Sequence, residues 1–218
     1  FEAFLEERFA VNLAMVETEG QLRLNAYVRE QARLQVKLYW TKLKELALKV
    51  TESEVPISLS NLETEQGRRY TIQGVADVIE EGDRRVLYDI KTHDPDFVRR
   101  NIERYEAQLN IYSKIWSERS GEKIDGAAVI ATPVPGKLRY AIQEGRQERI
   151  ERALAEWEPI IPVGNDEGAV ERTLEEFGKG VRRMSGSADL QVVGPREGFD
   201  EQIYAVLALR PEVSEASP

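Results

Sequence analysis

One stretch of the sequence, residues 74–112, constrains the fold more than any other. It contains two strand-like segments, Gly74-Val-Ala-Asp77 and Tyr88-Asp89-Ile90-Lys91-Thr92, which are followed by a helical segment, Gln108-Leu-Asn-Ile-Tyr112. The turn sequence Glu81-Gly82-Asp83 stands between the two strand segments and is typical of a β-hairpin. The sequence therefore predicts a hairpin that brings two carboxylates together on neighbouring strands.

These two carboxylates, Asp77 and Asp89, are oxygen ligands of the kind that a hard divalent cation prefers. Asp89 and Lys91 lie two residues apart on a strand, so their side chains leave the same face of the sheet. Ile90 points the other way, but its carbonyl oxygen is available as a further ligand. Carboxylates, a carbonyl and water suit Mg²⁺ or Mn²⁺. In such a site, Lys91 would orient an attacking water or stabilise the charge that builds on a phosphate.

In this order the motifs resemble those of the PD-(D/E)XK nuclease superfamily, specifically its RecB-like branch, which includes the iron–sulfur exonucleases of CRISPR adaptation. The resemblance covers about residues 70–131. It implies that Asp77, Asp89 and Lys91 form a metal-dependent phosphodiesterase centre. It also implies that Gln108 and Tyr112, an i, i+4 pair on one helix face, help to hold the active site and the DNA strand.

The sequence departs from the RecB-like pattern in two respects. RecB-like members usually carry an upstream histidine on a helix near the site, whereas the single histidine of this chain is His93. Five residues remain as alternatives for an upstream metal ligand: Asn25, Glu17, Glu19, Glu30 and Glu45. The chain contains no cysteine, so we predict that it binds no iron–sulfur cluster.

Charged residues near the motifs favour a local contact with DNA. Arginines follow the second strand at positions 99, 100 and 104, and Arg182 and Arg183 lie towards the C-terminus; the alternative for both groups is a solvated face. The net charge of -9 counts against a broad DNA-coating surface, but not against a site that uses a cation and a few arginines. His93 is either a proton donor or a loop residue without a catalytic part.

The order of helical and strand-like patterns predicts an α/β domain with a mixed sheet. We expect a helical N-terminal part over residues 1–50, a nuclease core over 51–185 and an irregular segment over 186–218. The resemblance implies a restriction-endonuclease-like core with helices flanking a central sheet. Within the core, strands are expected at 55–62, 69–80, 85–91, 125–132 and 137–142, and helices at about 94–120, 145–157 and 168–184.

The helix expected over residues 94–120 shows a clear apolar stripe at four- and three-residue spacing. Its members are Val98, Ile102, Tyr105, Leu109, Tyr112 and Trp116. Tyr112 belongs to this stripe and is expected in the core, whereas Gln108 lies at its edge. We therefore expect replacement of Gln108 to cost little stability.

The resemblance implies a DNA nuclease that hydrolyses phosphodiester bonds with Mg²⁺ or Mn²⁺ and acts on single strands or DNA ends. RecB-like domains work with helicases or in repair, recombination and phage-defence assemblies. One alternative is a catalytically silent domain that serves as a binding or assembly module, and another is a chance resemblance in an unrelated α/β protein. Endonuclease or exonuclease action, polarity, DNA or RNA preference and oligomeric state stay open.

The apolar residues also bear on where the protein works. No apolar run approaches the roughly 18–20 residues of a membrane span, and the N-terminal residues do not form a secretory signal. We therefore expect a cytoplasmic protein with no membrane partner.

Overall fold

The computed structural model describes residues 2–20, 23–164, 166–183, 192–193 and 203–207. The chain forms two compact units, which divide between Leu48 and Lys49. Within the described residues, no helix is both long enough and apolar enough to cross a bilayer.

The first unit consists of two helices, α1 (Glu2–Glu19) and α2 (Ala26–Ala47). The helix α1 ends at Glu19, just before Gly20. The side chain of Asn25 caps α2, because its Oδ1 accepts a hydrogen bond of 2.9 Å from the N–H of Val28. The two helices are connected by charge, since Glu6 of α1 pairs with Arg33 and Lys37 of α2.

The second unit is built on a sheet that has seven strands in the part of the chain that the structure describes. The strands are β1 (Val50–Glu63), β2 (Arg69–Glu80), β3 (Val86–Lys91), β4 (Gly126–Ala131), β5 (Ile160–Val163), β6 (Val192–Val193) and β7 (Ile203–Leu207). Their order is β5-β4-β3-β2-β7-β6, and β1 pairs with β2. The pair of β3 and β4 is parallel and the other pairs are antiparallel, so the predicted mixed sheet is observed.

Among its described residues, the second unit has five helices, which lie between these strands along the chain: α3 (Pro95–Arg100), α4 (Ile102–Ser120), α5 (Gly136–Glu144), α6 (Gln147–Glu156) and α7 (Glu167–Arg183). Parallel strands need a long crossover connection, and α3 with α4 supplies it between β3 and β4. The helix α4 packs against β1, β3, β4, β5 and α7. It is therefore the helix at the centre of the core.

The apolar stripe predicted for α4 is buried as expected. Tyr105, Leu109, Tyr112 and Trp116 all belong to the hydrophobic core, and so does Val98 of α3. The single helix expected over residues 94–120 is divided at Asn101, whose side chain donates to the carbonyl oxygen of Phe97 and so ends α3. The start of α3 follows the prediction, because Asp94 accepts from the N–H of Asp96 and Pro95 occupies the first turn.

The strand predicted over residues 137–142 is wrong, because this segment forms α5. Leu138, Tyr140 and Ile142 alternate in the sequence like strand residues, but Leu138 and Ala141 are the buried pair. Their i, i+3 spacing is that of one helix face, and Tyr140 is exposed. Gly145, with a φ of 67°, ends the helix in the left-handed conformation that glycine adopts readily.

Three of the observed strands, β5, β6 and β7, were not predicted. The strand β5 contains Pro162, which a sheet tolerates at its edge, and β5 is an edge strand. The strand β7 pairs with β2 through residues 203–207, inside the segment 186–218 that was expected to be irregular. The rest of that segment, apart from β6, lies outside the described residues. The proposed boundaries at residues 50 and 185 stay predictions.

Candidate active site

The hairpin of β2 and β3 places the two predicted carboxylates at the same end of the pairing. Three residue pairs form this antiparallel ladder, and the last of them is Val78 with Tyr88. Asp77 and Asp89 are the next residues on their strands, so continuing this register would place them opposite each other, with side chains on one face. Both are buried, with 6% of Asp77 and 1% of Asp89 exposed.

A side-chain contact links the two strands where the ladder ends. Asp77 Oδ2 accepts a hydrogen bond of 2.6 Å from the backbone N–H of Ile90, the residue after Asp89. The carboxylate of Asp77 therefore lies against the backbone of the Asp-x-Lys motif. Ile90 is 44% exposed, as expected for the residue that points away from the flanking motif side chains. The sequence pattern predicted the proximity of the strands but not this hydrogen bond.

Lys91 and Asp89 form a buried ion pair. The Nζ of Lys91 lies 2.7 Å from Oδ2 and 2.9 Å from Oδ1 of Asp89. Alternation along β3 places both side chains on one face, as predicted. The parallel neighbour β4 fixes the position of β3 at this point. Lys91 lies opposite Ala131, and the carbonyl oxygen of Lys91 accepts a hydrogen bond from the N–H of Thr132.

Gln108 and Tyr112 contact each other in the interior of the second unit. The Nε2 of Gln108 donates to the hydroxyl of Tyr112 over 3.3 Å. Gln108 is only 2% exposed and Tyr112 is fully buried. Burial contradicts the expectation that replacing Gln108 costs little stability, because this side of α4 is covered. Both residues lie on a helix that packs against β3, the strand of Asp89 and Lys91.

The loop after β3 carries a contact that the sequence pattern did not predict. The Nδ1 of His93 lies 3.0 Å from the hydroxyl of Tyr105 in α4. Sequence periodicity does not predict a contact between a loop residue and a helix residue twelve positions later. The signal that was available is only that His93 follows the Asp-x-Lys motif and that Tyr105 belongs to the stripe.

The predicted basic residues have different surroundings. Arg99 pairs with Asp96 at 3.1 Å and also donates to the carbonyl oxygen of Glu158. Arg100 is exposed and Arg104 is partly exposed. Arg182 and Arg183 end α7, but their side chains lie outside the described part of the chain. A role for these arginines in DNA binding stays a prediction.

The five alternatives for an upstream ligand all lie in the first unit. Asn25 caps α2, Glu17 pairs with Arg29, and Glu30 pairs with Arg33. Glu19 and Glu45 are exposed. Each of the first three oxygen donors therefore has a partner within the unit, and the choice among the five stays open.

The donor set at Asp77 and Asp89 fits a small divalent cation. The described residues contain no group of three or more histidine, cysteine, aspartate or glutamate side chains arranged to hold a metal ion. Asp77 and Asp89 would supply two carboxylate ligands, together with the Ile90 carbonyl oxygen and water. Mg²⁺ usually takes this combination of one or two carboxylates with several waters. Asp77, Asp89 and Lys91 carry a summed charge of −1, so a divalent cation would leave this trio positive towards a phosphate.

Comparison with known proteins gives one family. The family model of the PD-(D/E)XK nuclease superfamily matches residues 1–198. No curated protein gives a significant match. The mixed sheet flanked by helices, with a helical N-terminal region, is consistent with the restriction-endonuclease-like fold that the sequence motifs implied.

Proposed function

Because the chain belongs to the PD-(D/E)XK nuclease superfamily, we propose that it hydrolyses phosphodiester bonds of DNA with Mg²⁺ or Mn²⁺. The observation that supports this most directly is the buried contact of Lys91 with Asp89, beside the Asp77 contact with the Ile90 N–H. In this proposal, Asp77, Asp89 and Lys91 correspond to the superfamily's two acids and lysine. The proposed activity therefore rests on residues that the fold brings together.

In this proposal, Asp77, Asp89 and the Ile90 carbonyl oxygen hold the cation. When bound, the cation lowers the pKa of a water and neutralises negative charge on the phosphate. The ammonium of Lys91 stabilises the charge that develops on the phosphate oxygens as water attacks. Burial strengthens this interaction, because few water molecules screen the ammonium from the phosphate.

Gln108 and Tyr112 are proposed to hold this centre from α4. An amide both donates and accepts hydrogen bonds, so Gln108 is suited to join the Tyr112 hydroxyl to a group at the site. The hydroxyl of Tyr112, in turn, keeps the amide in one orientation. A preorganised arrangement of this kind adds to catalysis because it does not have to form during the reaction.

The test is cleavage of end-labelled DNA by the purified full chain with Mn²⁺, compared with Lys91→Ala and Asp89→Asn. We expect each variant to lose activity by at least about a hundredfold, as enzymes do when a group that stabilises transition-state charge is removed. Lys137→Ala is the matched control, because Lys137 is highly exposed and far from the motif along the chain. Equal cleavage by wild type and Lys91→Ala would reject the proposed centre.

The order of the motifs supports a more specific assignment. Because it resembles the RecB-like branch, we propose that the substrate is a single strand or a DNA end, and that the domain acts with a helicase or defence-complex partner. Cleavage of linear and of closed circular DNA of the same sequence distinguishes action at DNA ends from internal cleavage. Degradation of the linear form alone supports action at ends, whereas nicking of the circle contradicts it.

A second candidate function is that of a DNA-binding or assembly module without catalysis. It is favoured by the absence of a third acidic or histidine ligand near the two aspartates in the described residues, together with the missing upstream histidine. The same experiment distinguishes it. A wild-type protein that binds the labelled strand in Mn²⁺ and leaves it intact would support this candidate.

A further inference from the structure

The single histidine of the chain lies beside the candidate active site and contacts a buried tyrosine. His93 follows Lys91 by two residues, so the two Cα atoms are separated by at most about 7 Å. The ring nitrogen Nδ1 lies 3.0 Å from the hydroxyl of Tyr105, and Tyr105 is only 3% exposed. His93 itself is exposed. A buried residue therefore fixes the imidazole in place, while the ring itself remains accessible to a ligand.

A second contact restricts the same ring. The rings of His93 and Phe97 have centroids 4.8 Å apart and an interplanar angle of 37°. Phe97 belongs to α3 and Tyr105 to α4, so two helices hold the imidazole. A side chain that is already held in one orientation loses less entropy when a ligand binds.

The contact with Tyr105 also bears on the proton of the imidazole. If the Tyr105 hydroxyl donates to Nδ1, the proton of the neutral ring is on Nε2. In the imidazolium form, Nδ1 donates to Tyr105 and Nε2 again carries a proton. Both of these arrangements make Nε2–H a donor, whereas a neutral ring that donates Nδ1–H to Tyr105 leaves Nε2 as an acceptor. A phosphate oxygen selects the arrangements with Nε2–H, because it accepts from an N–H donor.

We propose that His93 binds the backbone of the DNA strand at the candidate active site, by donating Nε2–H to a phosphate oxygen. This inference rests on the proposed nuclease function and assigns one of its substrate contacts. Tyr105 is the positioning residue, because it affects DNA binding only through the orientation of the His93 ring. Phe97 limits the tilt of that ring.

The experiment measures binding of a labelled single strand in Mn²⁺, in a Lys91→Ala background that prevents cleavage. We expect His93→Ala to weaken binding by about tenfold, which is the effect of one lost hydrogen bond to a charged group. His93→Gln should restore most of the affinity, because the glutamine amide also presents an N–H donor. Binding is measured at a temperature at which each variant is folded, because His93→Ala also removes the contact with the buried Tyr105 hydroxyl.

The role of Tyr105 is tested by a double-mutant cycle. Tyr105→Phe removes only the hydroxyl and should weaken binding by about threefold on its own, but should have no further effect in the His93→Ala protein. Tyr140→Phe is the matched control, because Tyr140 is exposed on α5. In proteins that keep Lys91, His93→Ala and Tyr105→Phe should each change the single-turnover rate at saturating DNA by less than about twofold. Loss of a contact that is equally strong in the ground state and the transition state raises KM and does not change kcat.

The outcomes separate this inference from the proposed function. Unchanged affinity in His93→Ala overturns the inference, whether or not the wild type cleaves DNA. Additive effects of His93→Ala and Tyr105→Phe overturn the positioning role. A wild type that binds DNA through His93 but does not cleave it overturns the nuclease proposal alone, and a wild type that does not bind DNA overturns both.

Discussion

The ammonium of Lys91 contacts both carboxylate oxygens of Asp89, at 2.9 Å and 2.7 Å, with 5% and 1% of the two side chains exposed. Taking both charges out of water is costly, and their attraction often does no more than offset that cost. Apolar residues of similar size would often stabilise a fold equally well at such a position. The proposed chemistry at Asp89 therefore accounts for the pair better than its effect on stability does.

The first prediction concerns this ion pair. Lys91→Met should lower the free energy of unfolding by about 3–5 kcal/mol, because it leaves the carboxylate of Asp89 buried without its cationic partner. Adding Asp89→Asn should recover most of that loss, since the remaining charge is removed. Urea unfolding of the two variants at neutral pH, without divalent cations, measures both effects. Equal stability of the single and double variants would show that the charges are not coupled.

The second prediction concerns the cation. Mg²⁺ or Mn²⁺ should raise the melting temperature of the wild type, because a ligand that binds only the folded state stabilises it. The gain should reach about 2.7 kcal/mol at a cation concentration one hundred times the Kd. Asp77→Asn/Asp89→Asn should show no such gain, because asparagine oxygens are uncharged and hold Mg²⁺ poorly.

A matched control for that measurement is Asp94→Asn, which keeps the side-chain oxygen that caps α3. It lies outside the proposed site, so its response to the cation should equal that of the wild type. An equal response in the Asp77→Asn/Asp89→Asn protein would place the bound cation elsewhere.

The part of the fold that sequence patterns predicted is the part with strong local periodicity. Asp89 and Lys91 share a face because strands alternate, and the α4 stripe is buried because its spacing is helical. The same logic failed at α5, where Leu138, Tyr140 and Ile142 alternate in a segment that is too short to distinguish the two periods. Strand β5 was missed because Pro162 is a poor strand residue away from a sheet edge.

The candidate site shows the same division. Proximity of the Asp77 and Asp89 strands followed from the turn between them, since a hairpin is a local structure. The hydrogen bond from Ile90 to Asp77 and the contact of His93 with Tyr105 depend on how elements pack. Burial of Gln108 likewise depends on what covers α4, which spacing along one helix does not reveal.

The third prediction uses a pH dependence at the start of α7. The side-chain hydrogen bond from Arg172 is the main cause that lowers the pKa of Asp166, and the N–H of Gly168 adds to it. Because the carboxyl has a lower pKa in the folded state than in the unfolded chain, its ionisation stabilises the fold above the unfolded pKa. That contribution is lost as the pH falls through the folded pKa.

The free energy of unfolding, measured at a series of pH values from 7 downwards, checks this direction of the pH dependence. Asp166→Ala should be less stable than the wild type at pH 7, and the difference should shrink as the pH falls below the ordinary aspartate pKa of about 3.9. Asp83→Ala is the control, because Asp83 is an exposed aspartate in the turn between β2 and β3. If the difference in the free energy of unfolding between Asp166→Ala and the wild type grew as the pH fell, the predicted direction would be wrong.

The last prediction concerns Gln108, which is buried and donates to the Tyr112 hydroxyl. Gln108→Ala should lower the free energy of unfolding by about 1–3 kcal/mol, because it removes a buried hydrogen bond and leaves space in the core. Tyr112→Phe removes only the hydroxyl from the same bond and should cost about 0.5–1.5 kcal/mol.

Cleavage rates of folded Gln108→Ala and Gln108→Leu decide whether the amide also serves the reaction. Leucine fills the space without the amide, so a stable Gln108→Leu protein with at least tenfold slower cleavage, about 1.4 kcal/mol in the barrier, would assign Gln108 to the site. Wild-type cleavage by Gln108→Leu would instead show that Gln108 only packs α4 against its neighbours. The proposed chemistry would then rest on Asp77, Asp89 and Lys91 alone.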